Sequence, residues 1–104
     1  MAQFDIRRNP SPRSRASTPY VLIVQCDLLA DLEPVAVVPL RRKDTLGPPI
    51  RRLNPSFTVD GVEVVMMPNA IAGVSKRDLG EVVANLAEHR HDIIAALDFL
   101  LTSV

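Results

Sequence analysis

Cysteine and glycine are scarce in this chain, net charge is zero and no apolar run is long. Each shortage removes a class of function. Cys26 is the only cysteine, so an intrachain disulfide is excluded and a reducing, cytoplasmic setting is expected. It lies between Gln25 and Asp27 with no adjacent positive charge to activate it, and reads as a buried structural thiol rather than a nucleophile. Four glycines are little material for a phosphate-cradling loop, and neither that loop nor a nucleophile elbow occurs. Twelve Lys and Arg balance twelve Asp and Glu, so no net field recruits nucleic acid or a membrane surface. No apolar stretch approaches the ~20 residues that span a bilayer. The start, Met1-Ala-Gln-Phe-Asp-Ile-Arg-Arg8, does not read as a secretory signal.

What remains is one ordinary domain: 104 residues, 47% hydrophobic, enough for a single core and too few for two. The neutral sum conceals an asymmetry, since nine basic and five acidic residues fall in positions 1–52 and three and seven in the rest, about +4 against about −4. The N-terminal half therefore offers either a surface for an acidic partner or a solvated face whose arginines cover apolar neighbours.

Strand signals dominate. Gln3 to Arg8 alternates, with Phe4 and Ile6 on one face, and stops at Asn9-Pro10. Ser11 to Pro19 is a Pro, Ser and Arg loop, and Tyr20 to Gln25 is β-branched and reads as a buried central strand. Asp27 to Pro34 turns the chain; Asp27 and Asp31 fit loop geometry better than an acid pair. Val35 to Leu40 is a further strand, where Pro39 predicts an edge or a bulge because it lacks an N–H. Arg41 to Pro49 is a second basic loop. Phe57 to Met66 flanks Asp60-Gly61, the dipeptide of a type I′ hairpin turn. Pro68 to Gly73 reads as a turn or short extended segment. Val74 to Val83 is ambiguous, and Leu79-Gly80 argues against a helix through it.

A helix is predicted from about Asn85, which would cap it with Glu88 closing a capping box. At about 100° per residue, Leu86, Ile93, Leu97, Leu100 and Val104 share a core stripe that Ile94 and Leu101 widen. Phe99 falls near the line through Asp92, Ala96 and Ser103, predicting a second apolar surface turned away from the core. The helix runs apolar to Val104, so its end should pack on the core, a second copy or a partner. His89 and His91, two apart, point to different helix faces and do not suit a metal site. No residues present themselves as catalytic, and no cofactor is expected.

Three blocks together resemble the CcdB family of toxins from type II toxin–antitoxin systems. The first is Tyr20-Val-Leu-Ile-Val-Gln-Cys-Asp-Leu-Leu29 with Val37-Val-Pro-Leu40. The second is Pro49-Ile-Arg-Arg-Leu-Asn-Pro55, then Phe57, Gly61, Met66 and Ile71-Ala-Gly-Val74. The third is Leu79-Gly-Glu81, Glu88-His-Arg90 and Ile93-Ile-Ala-Ala-Leu97. The likeness runs from Gln3 nearly to the end.

The resemblance implies a mainly β fold with one C-terminal helix, an SH3-like small β-barrel with a smaller accessory sheet, assembled as a homodimer in the cytoplasm. It implies a toxin without catalysis that binds the DNA gyrase A subunit, trapping the enzyme on cleaved DNA, with roles in plasmid maintenance and transcription regulation. A CcdA-like antitoxin with an acidic, disordered tail would relieve the block; direct nucleic-acid binding and membrane association are not implied. On this likeness gyrase contacts fall on Leu28, Leu29, Asp98, Leu100, Leu101, Thr102, Ser103 and Val104, the leucine pair packing beside the helix end. Arg13, Arg15, Arg41, Arg42 and Lys43 are candidates for the acidic antitoxin segment. Gyrase poisons of the family finish Trp-Gly-Ile, whereas this chain finishes Thr102-Ser103-Val104. A second reading therefore keeps the fold and makes the protein an attenuated member that sequesters antitoxin. A third, an endoribonuclease, rests only on a barrel shared with RNA-cutting toxins.

Overall fold

A computed structural model describes residues 1–102. The elements are β1 (Asp5–Arg8), β2 (Tyr20–Ile23), β3 (Val35–Arg42), β4 (Ser56–Val59), β5 (Val62–Met66), β6 (Ala72–Val74), β7 (Val82–Asn85) and α1 (Arg90–Thr102). The seven strands form one sheet in the order β4-β5-β3-β2-β1-β7, with β6 also paired to β3. All pairings are antiparallel. A separate accessory sheet was expected; instead β3, eight residues long, joins every strand into one sheet by pairing β2 along one edge and β5 then β6 along the other.

That handover corrects the reading of Pro39. Its strand is central, not an edge, and Pro39 lies opposite Val21 in β2. On the other side β5 is in register only as far as Leu40, and β6 begins at Val37. The Pro39 carbonyl accepts the Met67 N–H at 3.0 Å, so its ring nitrogen faces the same gap between partners. A residue without an N–H therefore leaves no ladder bond unmade.

The hairpin forms as expected, with Asp60 at φ 50° and Gly61 at φ 77°, both positive as a type I′ turn requires. β1 begins at Asp5, two residues later than expected; Ile6 is buried within it, and Phe4 is buried in the turn just before it. Phe4 adopts φ 69° and is gripped on both sides: its N–H donates to Ile23 at 2.7 Å and its carbonyl accepts from Leu86 at 2.9 Å. Cys26, expected to be buried, is only half-buried, because the chain leaves β2 for the surface turn immediately before it. Asp27 does fix loop geometry, its Oδ1 accepting the Gln3 N–H at 2.8 Å.

The ambiguous stretch resolves into β6, a turn over Lys76–Asp78, and β7. Gly80 lies against β1: a Cβ there would meet the Arg8 carbonyl oxygen at 2.5 Å, closer than any side chain tolerates. The turn before β3 is tied to this segment by Glu33, whose carboxylate accepts the Lys76 N–H at 2.7 Å and the Ser75 hydroxyl at 3.3 Å. The Lys76 bond, then the Ser75 bond, hold the Glu33 carboxyl below its ordinary 4.5. A lowered folded-state pKa gives stability that is present above the unfolded value and lost as pH falls through the folded one. Glu33→Gln should therefore lose less stability than wild type between about pH 7 and about pH 3, as read by urea unfolding at the two pH values; equal losses would show the tie to be inconsequential.

The helix starts later than predicted. Asn85 belongs to β7, opposite Asp5, and its side chain holds three groups: Nδ2 donates to Gln3 O at 3.1 Å and Asp5 Oδ1 at 2.9 Å, while Oδ1 accepts the Ala87 N–H at 2.7 Å. The last bond joins β7 to the turn over Ala87–His89 that precedes α1, where Leu86 stands at the cap position with no side-chain cap bond. The capping box does not form, because Glu88 turns to His89 at 3.6 Å.

The main core lies between the sheet and α1, where Ile6, Leu22, Val38, Leu40, Val64 and Met66 meet Ile93 and Ala96. Ile23, Val35 and Val37 form a smaller cluster with Val74 and Leu79. The helix stripe needs one correction. Ala96 is fully buried, and Phe99 is half-buried with the Arg52 guanidinium 4.9 Å from its ring centroid. Their line does not face away from the domain: Ala96 joins the core against the sheet, and Phe99 is covered by Arg52. The outward apolar residue is Leu101, 79% exposed, which the periodicity places toward the core.

Candidate functional site: the helix end and the leucine turn

Two exposed apolar features flank the domain. At the end of α1, Asp98, Leu101 and Thr102 are exposed and Leu100 is half-buried. Thr102 Oγ1 donates to the Asp98 carbonyl at 2.7 Å, satisfying one of the acceptors that a helix end leaves open. The expectations for Ser103 and Val104 lie outside the described residues.

The second feature is the 3-10 turn over Asp27–Leu29. Leu28 is 95% exposed, Leu29 and Leu32 about half as much. The turn is held from beneath by Gln25, whose Nε2 donates to the Leu29 carbonyl at 2.6 Å and the Leu32 carbonyl at 3.1 Å. Its Oε1 accepts the Ala36 N–H at 3.1 Å. Gln25 thus binds the leucines rigidly to β3. Sequence reasoning missed Gln25 and Leu32; a polar residue ending an apolar strand before Asp-Leu-Leu was the only signal.

Through Gln3 the leucine turn is linked to the start of α1. Asp27 holds the Gln3 N–H, and Gln3 Oε1 accepts Arg90 Nη1 at 3.1 Å, tying the turn to the start of α1. From Arg90 to Thr102 the helix rises about 18 Å.

The basic residues are brought closer together than their spacing suggests. Asn9 organises the first loop, donating to Ser14 Oγ at 2.9 Å and the Thr18 carbonyl at 2.8 Å and accepting the Ser11 N–H at 3.1 Å. The Arg42 N–H donates to Ser17 at 2.7 Å, joining this loop to the end of β3. Arg13, Arg15 and Lys43 are exposed. Arg42 is forked onto Asp44 at 3.2 and 3.0 Å; the pair raises the guanidinium pKa and lowers that of the carboxyl. Arg41 Nε donates to Thr45 Oγ1 at 3.2 Å. Of the five basic candidates, Arg13, Arg15 and Lys43 thus present the most accessible charge.

His89 packs on Phe57 at 5.1 Å between ring centroids, while His91 is exposed. Among the described residues no three His, Cys, Asp or Glu are grouped as metal ligands, and no helix is long and apolar enough to cross a membrane.

A curled antiparallel sheet carrying one C-terminal helix defines a small β-barrel-like toxin fold. The model of the CcdB protein family matches residues 3–103, nearly the whole chain, and the protein belongs to that family, the toxins of toxin–antitoxin systems. No curated protein matches it.

Proposed function

We propose that this toxin acts by binding, not catalysis: a cytoplasmic homodimer that engages the DNA gyrase A subunit. A CcdA-like antitoxin with an acidic, disordered tail neutralises it. The observation that carries the reading is the pair of unburied leucines, Leu28 at 95% and Leu101 at 79% exposure, on elements fixed to a rigid core. Exposed apolar side chains on held elements suit a protein contact. Two-fold symmetry supplies each feature twice, so the leucine turn of one protomer can serve alongside the helix end of the other. Gyrase would meet Leu28, Leu29, Asp98, Leu100, Leu101, Thr102, Ser103 and Val104. Arg13, Arg15, Arg41, Arg42 and Lys43 would steer the antitoxin tail, an attraction that falls with added salt.

Calorimetric titration of the purified protein into the gyrase A subunit tests this reading. Leu28→Asp and Leu101→Asp should each weaken binding about tenfold or more while shifting the unfolding free energy by less than about 0.5 kcal/mol, since both sites are on the surface. Wild-type protein that gives no heat and no gyrase-dependent DNA cleavage would end the proposal.

A further inference from the structure

We propose that Arg52 is a positioning residue for the partner-binding end of α1: its guanidinium seats Phe99 and so sets the direction in which Leu101 and Thr102 are presented. The inference rests on the reading that this helix end is the gyrase contact.

Arg52 holds φ 70°, the left-handed region where glycine is the default and a long cationic side chain persists only when its surroundings fix it. The surroundings here are specific. Ile50 N–H donates to Asn54 Oδ1 at 2.9 Å, and the Leu53 and Asn54 N–H groups return to the Ile50 carbonyl at 3.2 and 3.0 Å. Asn54 Nδ2 donates to the Met66 carbonyl at 3.0 Å, and the Met66 N–H donates to Pro55 at 2.9 Å. The turn inherits its position from β5 and the fully buried Met66.

From that fixed base the side chain reaches the helix. Its guanidinium stands 4.9 Å from the Phe99 centroid, inside the range in which a cation is drawn to a ring face. Arg52 also lines a shallow groove with Asn54, Pro55, Asp92 and Ala95. Asp92 to Phe99 spans about two helical turns, so one side chain braces the outer half of α1. Phe99 and Thr102 are three apart, neighbours on the helix surface. Whatever fixes Phe99 fixes the face carrying the last residues.

The substitution pair R52G and R52K separates clamping from folding. Glycine removes the guanidinium and relieves the left-handed backbone, so R52G should melt within about 2 °C of wild type, with relief offset by lost contact and a freer unfolded chain. Hydrogen exchange at the amides of Phe99 to Thr102 should become about three- to fivefold faster in R52G, and R52K should return it to within about twofold of wild type. Exchange at β3 should not move. R52G should also show about three- to fivefold weaker affinity for the gyrase A subunit. The inference is overturned by unchanged last-turn exchange in R52G, by R52K exchanging as fast as R52G, or by equal gyrase affinity of R52G and wild type. A wild type that binds no gyrase removes the proposed function alone, and the exchange pattern then decides whether Arg52 clamps the helix.

Discussion

Ile93→Ala is expected to lower the unfolding free energy by about 3–4 kcal/mol and to loosen α1 before the sheet. Ile93 is completely buried in the core cluster that also holds Phe57 of β4 and Phe4 beside β1. Truncation removes transfer free energy and leaves a hole that the curled sheet fills only in part, since β3 is held on both edges. The helix cannot compensate by itself: 13 residues are marginal as an isolated helix in water. For a domain of about 100 residues the loss corresponds to roughly 15–25 °C in melting temperature. Thermal and urea unfolding followed by circular dichroism measure it. Leu101→Ala is the control and should change stability by less than about 0.5 kcal/mol. A loss below about 1 kcal/mol for Ile93→Ala would mean that the helix is seated elsewhere than on this core.

The contrast between these two helix positions also shows where the sequence could and could not be read. Local signals were clear: Asp60-Gly61 produced its hairpin because the turn chemistry lies within the dipeptide, and Tyr20 to Ile23 became a strand because its run is β-branched and short. Leu79-Gly80 correctly excluded a helix, yet the reason, contact with the Arg8 carbonyl, is long-range. Asn85 was expected to cap the helix, but β1 claims its backbone for pairing, Leu86 takes the cap position of the intervening turn, and the helix begins at Arg90. Periodicity assigned the helix faces on the assumption of one core wall. Ala96 joins that core from the other line, Phe99 is covered by Arg52, and Leu101 is left outside. Pro39 marked an irregularity in pairing, but a change of partner on one edge of a central strand has no local signature.

The proposed site rests mainly on family likeness. Asp27-Leu28-Leu29 by itself reads as part of a turn; only the fold reveals that Gln25 fixes that turn and leaves Leu28 in water. Arg52 entered only within the Pro49 to Pro55 block of the family likeness, because a left-handed arginine is invisible without glycine to announce it. The leucine turn is linked through Gln3 to the start of α1, and in the proposed homodimer the turn of one protomer would serve alongside the helix end of the other. Two-fold symmetry becomes part of the proposed site, not an accessory to it.

Joint replacement of Thr102 by Trp and Ser103 by Gly should strengthen binding to the gyrase A subunit by about 30-fold or more, the factor that corresponds to a hot-spot contribution of roughly 2 kcal/mol. Thr102 in the present chain turns its hydroxyl back to the Asp98 carbonyl, so it offers its methyl group and little else to a partner. A tryptophan beside exposed Leu101 would add a large, stiff apolar surface able to stack, and glycine after it would allow close backbone approach. The variant should also arrest growth at lower expression than wild type when no antitoxin is present, with gyrase-dependent DNA cleavage rising in parallel. Antitoxin affinity should stay unchanged, because the basic loops are untouched. That combination would identify the wild-type terminus as an attenuated contact and favour a toxin whose main work is holding antitoxin. If affinity and growth are both unchanged, the last residues do not limit binding, and the energetic centre moves to Leu28, Leu29 and Leu101. The Arg52 clamp then matters through Leu101 alone, and Leu101→Asp becomes the more damaging change at the helix end.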